Sequence, residues 1–205
     1  MIIQNNKAII KNALSNENKK YIQDIYQGYN IPWSYNDGVL ESKNPIDFQF
    51  VHTISKDGGD GQGPAWDAII PILQILNPWS LLKAKSNLRT KSHVVEESQY
   101  HRDQWIPGSF TAIYHVNTCD GYTKWKDGDK IESIENTLII FPAHMQHLGT
   151  TCTNTNRRIV ININYIPPQT TIINDRVLEH NNKIANALYT KDDINYQKIW
   201  REQSV

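Results

Sequence analysis

Only two cysteines, Cys119 and Cys152, occur in the 205 residues of the chain, and neither belongs to a C-x-x-C pair. That excludes a disulfide framework and a cysteine-based zinc or redox motif, leaving two free thiols as the simplest reading. A charge excess is missing too. Lys plus Arg number 21 and Asp plus Glu number 21, so nothing argues for bulk association with nucleic acid or an anionic membrane. Long apolar runs are also lacking. The longest, residues 69–76, is far too short to span a bilayer, and Met1-Ile2-Ile3-Gln4-Asn5-Asn6 lacks the apolar core of a secretory leader. The expectation is a soluble, intracellular, cytoplasmic protein with no nucleic-acid or membrane partner, its oligomeric state open. No internal repeat or low-complexity tract occurs, and the wealth of Asn and Ile reads as coding bias.

What is present suits one domain, 1–205, because a chain of this length builds one well-buried core more readily than two. Residues 7–11 read as a short strand. Ser15 offers a helix N-cap, and Tyr21, Ile22, Ile25 and Tyr26 recur at helical spacing until Gly28. Asn30 to Tyr35 is an aromatic extended segment, Asp37-Gly38 a turn, and 48–54 a strand. The glycine-rich stretch 58–64 reads either as a lid over a site or as a plain surface connection. A second helix runs over 65–76, with Ile69, Ile70, Leu73 and Leu76 as its apolar stripe and Pro78 beyond its end.

Downstream the pattern turns to short strands: 80–91, 110–116, 122–125, 130–134, 137–141, 147–152 and 158–166, with turns such as Asp127-Gly128-Asp129 between them. Short strands at regular spacing argue for a sandwich or barrel. The fold class expected is mainly β with flanking helices: a double-stranded β-helix, or cupin-like jelly roll, over about 80–166. N-terminal helical support (1–79) backs it, and a helical C-terminal extension (167–205) follows, its helices within 178–203.

The chemistry concentrates in residues 99–165. His101-Arg102-Asp103 opens the stretch, and alternate residues of an extended segment share a face, so His101 and Asp103 can address one centre. A lone H-x-D is common in ordinary surfaces. Here a single His147 follows the strand-to-Pro turn Leu138-Ile139-Ile140-Phe141-Pro142, and two imidazoles with one carboxylate, leaving positions open, make the ligand set of a non-haem Fe(II) oxygenase. The basic pair Arg157-Arg158 then opens the last strand.

This order of motifs, carried mainly by residues 138–165 (LIIFPAHMQHLGTTCTNTNRRIVININY) and extending over about 80–166, resembles the 2-oxoglutarate- and Fe(II)-dependent dioxygenases. The nearest branch is the prolyl-4-hydroxylase-like one frequent in phage and bacterial genomes. The resemblance implies His101, Asp103 and His147 as iron ligands and as the catalytic centre. It also implies an Arg or Lys on the last strand as the anchor for the far carboxylate of 2-oxoglutarate. Arg158 leads the register Val160, Asn162, Asn164 and Arg157 the register Ile159, Ile161, Ile163, so a polar pocket favours Arg158.

His144 competes with His147 but lies in the turn after Pro142, which suits an exposed or supporting residue. His115 shares a strand face with Thr111 and Ile113, where relatives often carry a co-substrate-binding Tyr; it reads equally as a 2-oxoglutarate contact and as a hydrogen-bonded core residue. Trp105, Trp33 and Tyr35 read as lining for a substrate mouth or as packing. Asn87 is a further pocket candidate, whereas His52, His93 and His180 read as structural or solvated. The implied reaction is hydroxylation of a C–H bond in a small-molecule or peptide substrate, prolyl or other, using Fe(II), 2-oxoglutarate and O2, stimulated by ascorbate, with release of succinate and CO2. Two alternatives stay open: a non-catalytic cupin-like module binding a metal or small ligand, and an oxidative nucleobase demethylase.

Overall fold

In the computed structural model the described residues are 1–38, 47–56, 59 and 61–168. The expected helices within 178–203, His180 among them, lie outside these, and so do Gly58 and Asp60 of the glycine-rich stretch read as a lid or a surface connection.

Two short strands, β1 (Ile2–Gln4) and β2 (Lys7–Lys11), precede helix α1 (Asn16–Gln27). Ser15 caps that helix, its Oγ accepting from the Asn18 amide at 3.2 Å, a contact worth about 1 kcal/mol. Edge strand β3 (Ser34–Asn36) and β4 (Gln49–Lys56) follow, then helix α2 (Pro64–Leu76). Pro64 opens α2, where its missing N–H costs nothing, and Asn77 closes it in the left-handed conformation. The buried face of α2 is Ala65, Ala68, Ile69, Ile72 and Leu76. Ile70, expected in the stripe, is instead exposed, because at 100° per residue it points a third of a turn from Ile69 while Ile72 and Leu76 stay in line.

The remaining elements are strands: β5 (Ser80–Thr90), β6 (Phe110–His115), β7 (Tyr122–Trp125), β8 (Lys130–Glu132), β9 (Thr137–Pro142), β10 (His147–Gly149) and β11 (Arg157–Ile166). An eight-stranded antiparallel sheet runs β1-β2-β9-β6-β11-β5-β4-β3, and a three-stranded sheet runs β10-β7-β8. Single bridges Glu97↔Thr150 and His101↔His147 lay the segment before β6 along the outer side of β10. The N-terminal third is thus more than helical support: its four strands add to both edges of the large sheet.

Alternation along the strands sorts two cores. Ile159, Ile161 and Ile163 of β11, with Ala84 and Leu88 of β5, face Ile22, Tyr26, Ile69 and Ile72 of the helices. On the opposite face Ile113, Ile139, Phe141 and Val160 meet Trp125 of the small sheet. Helices on one side of a large sheet and a small sheet closing over the other make a double-stranded β-helix, the expected jelly roll.

Candidate metal and co-substrate site

Between the two sheets lies a cavity whose polar lining comes from strand positions of the inner register. His147 begins β10, and its backbone exchanges both hydrogen bonds with His101, 3.0 Å and 2.9 Å. This pairing brings together two imidazoles 46 positions apart, with ring centroids separated by 4.6 Å. Asp103 lies not on a strand but in the bend beyond, fastened by its amide to the Ala143 carbonyl at 3.2 Å. The ligand atoms of His101, Asp103 and His147 lie within 4.8 Å of one another.

The ring orientations suit a metal. His101 Nδ1 lies 3.2 Å from the Gln99 carbonyl and His147 Nδ1 lies 3.1 Å from the Met145 carbonyl. With each Nδ1 proton donated to its own backbone, both Nε2 lone pairs are left for the shared centre. Asp103 Oδ2 accepts from Thr111 Oγ1 at 2.8 Å and from Asn162 Nδ2 at 3.0 Å. Burial works against the Asp103 carboxylate, but the His147 and His101 rings, Lys85 and the Asn162 amide together hold its pKa down to about 2, so it is an anion at neutral pH. Burial lowers the pKa of His147, with Asp103 pulling the other way; the neutral, ligating form is the one favoured. Converging, with Asp103 ionised and His147 buried, the donor set fits a divalent metal with open positions.

Arg158 lies at the other end of the cavity, 4% exposed. Its Nε donates to Ser133 Oγ at 2.6 Å, Nη2 to Thr123 Oγ1 at 3.0 Å and Nη1 to the Thr150 carbonyl at 3.5 Å. No carboxylate among the described residues pairs with it. Burial, aided by the charge of Arg89, pushes its pKa down to about 10, which leaves it charged at neutral pH. Two glycines open its channel: a Cβ on Gly121 would stand 2.6 Å from Arg158 Cδ, and one on Gly149 3.2 Å from Nη1. A buried cation that faces a polar cavity, with no carboxylate partner among the described residues, suits an anion.

Arg157 points the other way, as alternation requires. Its Nη2 donates to the Gln27 carbonyl at the end of α1, 2.6 Å away, where a cation suits the helix terminus. His144 is exposed and contributes only its backbone carbonyl, which accepts from Arg102 Nε at 2.9 Å. His115 lies fully buried on the inner face but is not part of the cavity wall. Neither ring nitrogen completes a hydrogen bond of good geometry, and burial, with the nearby Arg158 charge, drives its pKa down to about 3 against a pull from the Ile134 backbone. Trp105 stands exposed beside the metal-ligand candidates with the Arg102 guanidinium 4.4 Å over its ring. Trp33 instead packs on the helix-side core, and Tyr35 stacks on Phe48 and meets Phe50 edge-on at the sheet edge.

The sequence reading passed over Asn162 and Thr111, which hold Asp103, and Ser133 and Thr123, which hold Arg158. It also passed over Lys85 and Arg89, which line the cavity with Asn87. A signal was there: Lys83, Lys85, Asn87 and Arg89 alternate with Ala84, Ser86 and Leu88 along β5, the mark of a strand with one polar inner face.

No family model matches the sequence, and no curated protein matches it. Solved structures do match in fold. A prolyl hydroxylase of Trichoplax adhaerens, in complex with a peptide fragment of the hypoxia inducible factor oxygen degradation domain, aligns at TM-score 0.59 and 18% identity, covering 80% of this chain and 84% of that one. A 2-oxoglutarate/Fe(II) oxygenase family oxidoreductase of Burkholderia pseudomallei aligns at TM-score 0.55 and 11% identity, over 80% and 89%. HygX of Streptomyces hygroscopicus, with nickel and 2-oxoglutarate bound, aligns at TM-score 0.50 and 11% identity, over 81% and 84%. At these identities the likeness is one of fold. The chain has the double-stranded β-helix fold that these oxygenase structures share.

Proposed function

We propose that this chain is a 2-oxoglutarate- and Fe(II)-dependent oxygenase that hydroxylates a C–H bond and releases succinate and CO2. One observation carries the reading: the cavity has a His-Asp-His cluster at one end and, at the other, a buried arginine with no carboxylate partner among the described residues. A metal-binding module has no use for that cation. A co-substrate with a carboxylate at each end uses both features, one end on the metal and the other on the guanidinium.

In this reading His101, Asp103 and His147 hold iron, which together with 2-oxoglutarate and O2 supplies the oxidising chemistry when bound. The residues of the chain bind and orient. Thr111 and Asn162 fix the Asp103 carboxylate, and Ser133, Thr123 and the Thr150 carbonyl fix the Arg158 fork. Ile113, Leu148 and Val160 supply apolar wall between the polar ends and limit water. His115, expected as a direct contact of the co-substrate, does not line the cavity, so a weakening of 2-oxoglutarate binding in His115→Ala would pass through the neighbouring Arg158. The peptide held by the Trichoplax enzyme makes prolyl and other peptide or amino-acid substrates the first to try.

Purified protein given Fe(II), ascorbate and 2-oxoglutarate in air should release succinate and CO2 without a prime substrate. Absence of that turnover, together with absence of 2-oxoglutarate binding by calorimetry, would leave a cupin-like binding module as the better account.

A further inference from the structure

Lys85 is a charged side chain that the proposed reaction does not use. It lies on the inner face of β5 opposite Asn162, the residue whose amide holds Asp103, and it lines the cavity. Among the described residues it makes no hydrogen bond and no ion pair. The positions of the cations along the strands separate their tasks. Arg158 is paired in register with Arg89, and Asn162 with Lys85; four residues of strand set the two rows roughly 13 Å apart. Arg158 thus holds one end of the cavity and Lys85 the metal end.

Charge balance identifies what is missing there. Arg89 is matched by Asp47, their atoms 3.1 Å apart. If the site holds a divalent metal and 2-oxoglutarate, as the reading above has it, the metal with Asp103 leaves one positive charge and Arg158 adds another. The co-substrate dianion cancels both. Lys85 remains, an ammonium in surplus and partly buried at the cavity wall, with Lys83 of the same strand adding to its repulsion and burial depressing its pKa while Asp103 pulls the other way. A partly desolvated charge of this kind favours a ligand that neutralises it.

We infer that the molecule oxidised at this centre carries a carboxylate close to the reacting carbon and that Lys85 binds that carboxylate, which makes the substrate class an organic acid or an acidic side chain. The inference rests on the oxygenase reading. Lys85 positions the substrate; it is not a metal ligand, although its charge helps to keep Asp103 ionised.

The test uses the full chain loaded with Zn(II) and 2-oxoglutarate, which cannot turn over, titrated by calorimetry with two matched pairs: acetate against acetamide, and N-acetylglutamate α-amide against N-acetylglutamine amide. At least one carboxylate should bind at least about tenfold more tightly than its amide partner; acetate as the tighter of the two points to a free acid, the blocked glutamate to an acidic side chain. Lys85→Met and Lys85→Gln should each lose that preference while 2-oxoglutarate affinity changes less than about threefold, and Lys85→Arg should keep it. Equal binding of acids and amides by the unaltered protein, or no binding of either acid, overturns the inference without recourse to any variant. So does a Lys85→Met protein that binds the acids as before, or one that loses 2-oxoglutarate and the acids by the same factor, because Lys85 would then serve the co-substrate. Failure of the unaltered Zn(II) protein to bind 2-oxoglutarate brings down the oxygenase reading and this inference together.

Discussion

Replacing Arg158 by methionine separates a co-substrate site from a plain metal site. The guanidinium is buried, fixed by Ser133, Thr123 and the Thr150 carbonyl, and lacks a protein carboxylate among the described residues. Removing one partner of a buried charged pair costs about 2–5 kcal/mol, a loss of roughly 30-fold to several thousand-fold in affinity. Thermal unfolding reads this directly. With metal present and 2-oxoglutarate at about 100 times its Kd, binding stabilises the native state by about 2.7 kcal/mol. For a chain of this size each kcal/mol moves Tm by about 2–4 °C, so the unaltered protein should gain about 5–11 °C. At the same concentration Arg158→Met should retain at most about 0.9 kcal/mol of that, about 2–4 °C. Metal affinity should change little, because the iron-ligand candidates lie at the other end of the cavity. Arg157→Met should keep the whole shift, since Arg157 meets the end of α1 and not the cavity. A full 2-oxoglutarate shift in Arg158→Met, or its loss in Arg157→Met, would refute the co-substrate assignment.

Gly121→Ala should reproduce much of the Arg158 phenotype without touching the charge: the new Cβ meets Arg158 Cδ at 2.6 Å and the Thr151 backbone carbonyl at 2.5 Å, so both the arginine and the adjoining backbone must shift. A 2-oxoglutarate Kd raised at least about tenfold in calorimetry, with the metal Kd unchanged, is expected. Asn162→Leu removes one of the two donors on Asp103 and should weaken metal binding by about 10–100-fold in a chelator competition. The co-substrate site should also respond to alkali. The folded-state pKa of Arg158 lies below its ordinary value, at about 10, and the protonated form binds the carboxylate; 2-oxoglutarate affinity should therefore hold below about pH 10 and fall as pH rises through it. An affinity flat through that range would mean that the Arg158 guanidinium keeps its proton there.

Much of this arrangement could be read from local pattern. The strands from β5 to β11 announced themselves because apolar and β-branched runs end in Gly, Pro, Asn and Asp turns. Ser15 marked the start of α1 by its capping oxygen, and the helical period of Tyr21, Ile22, Ile25 and Tyr26 carried it to Gly28. The orientation of Arg158 against Arg157 followed from the two-residue period of a strand, since the isoleucine register needs an apolar neighbour and the asparagine register a polar one. The stripe of α2 was less legible, because Ile69, Ile70, Ile72, Leu73, Ile75 and Leu76 offer apolar side chains on nearly every side; only the position of the sheet picks Ile72 over Ile70.

Residue types and their period determined the class of fold, the polar register of β11 and the candidate donors, because these depend on contacts within one element or between near neighbours in sequence. Which side chains meet depended on the tertiary structure. His101 reaches His147 through one bridge between distant segments, Asp103 receives its donors from β6 and β11, and His144 turns outward. Lys85 acquires its place at the metal end only because β5 lies beside β11 in this register. Sequence spacing has no bearing on such pairings; sheet order and the closing of one sheet over the other decide them, because they alone bring residues so far apart in the chain around one buried cavity.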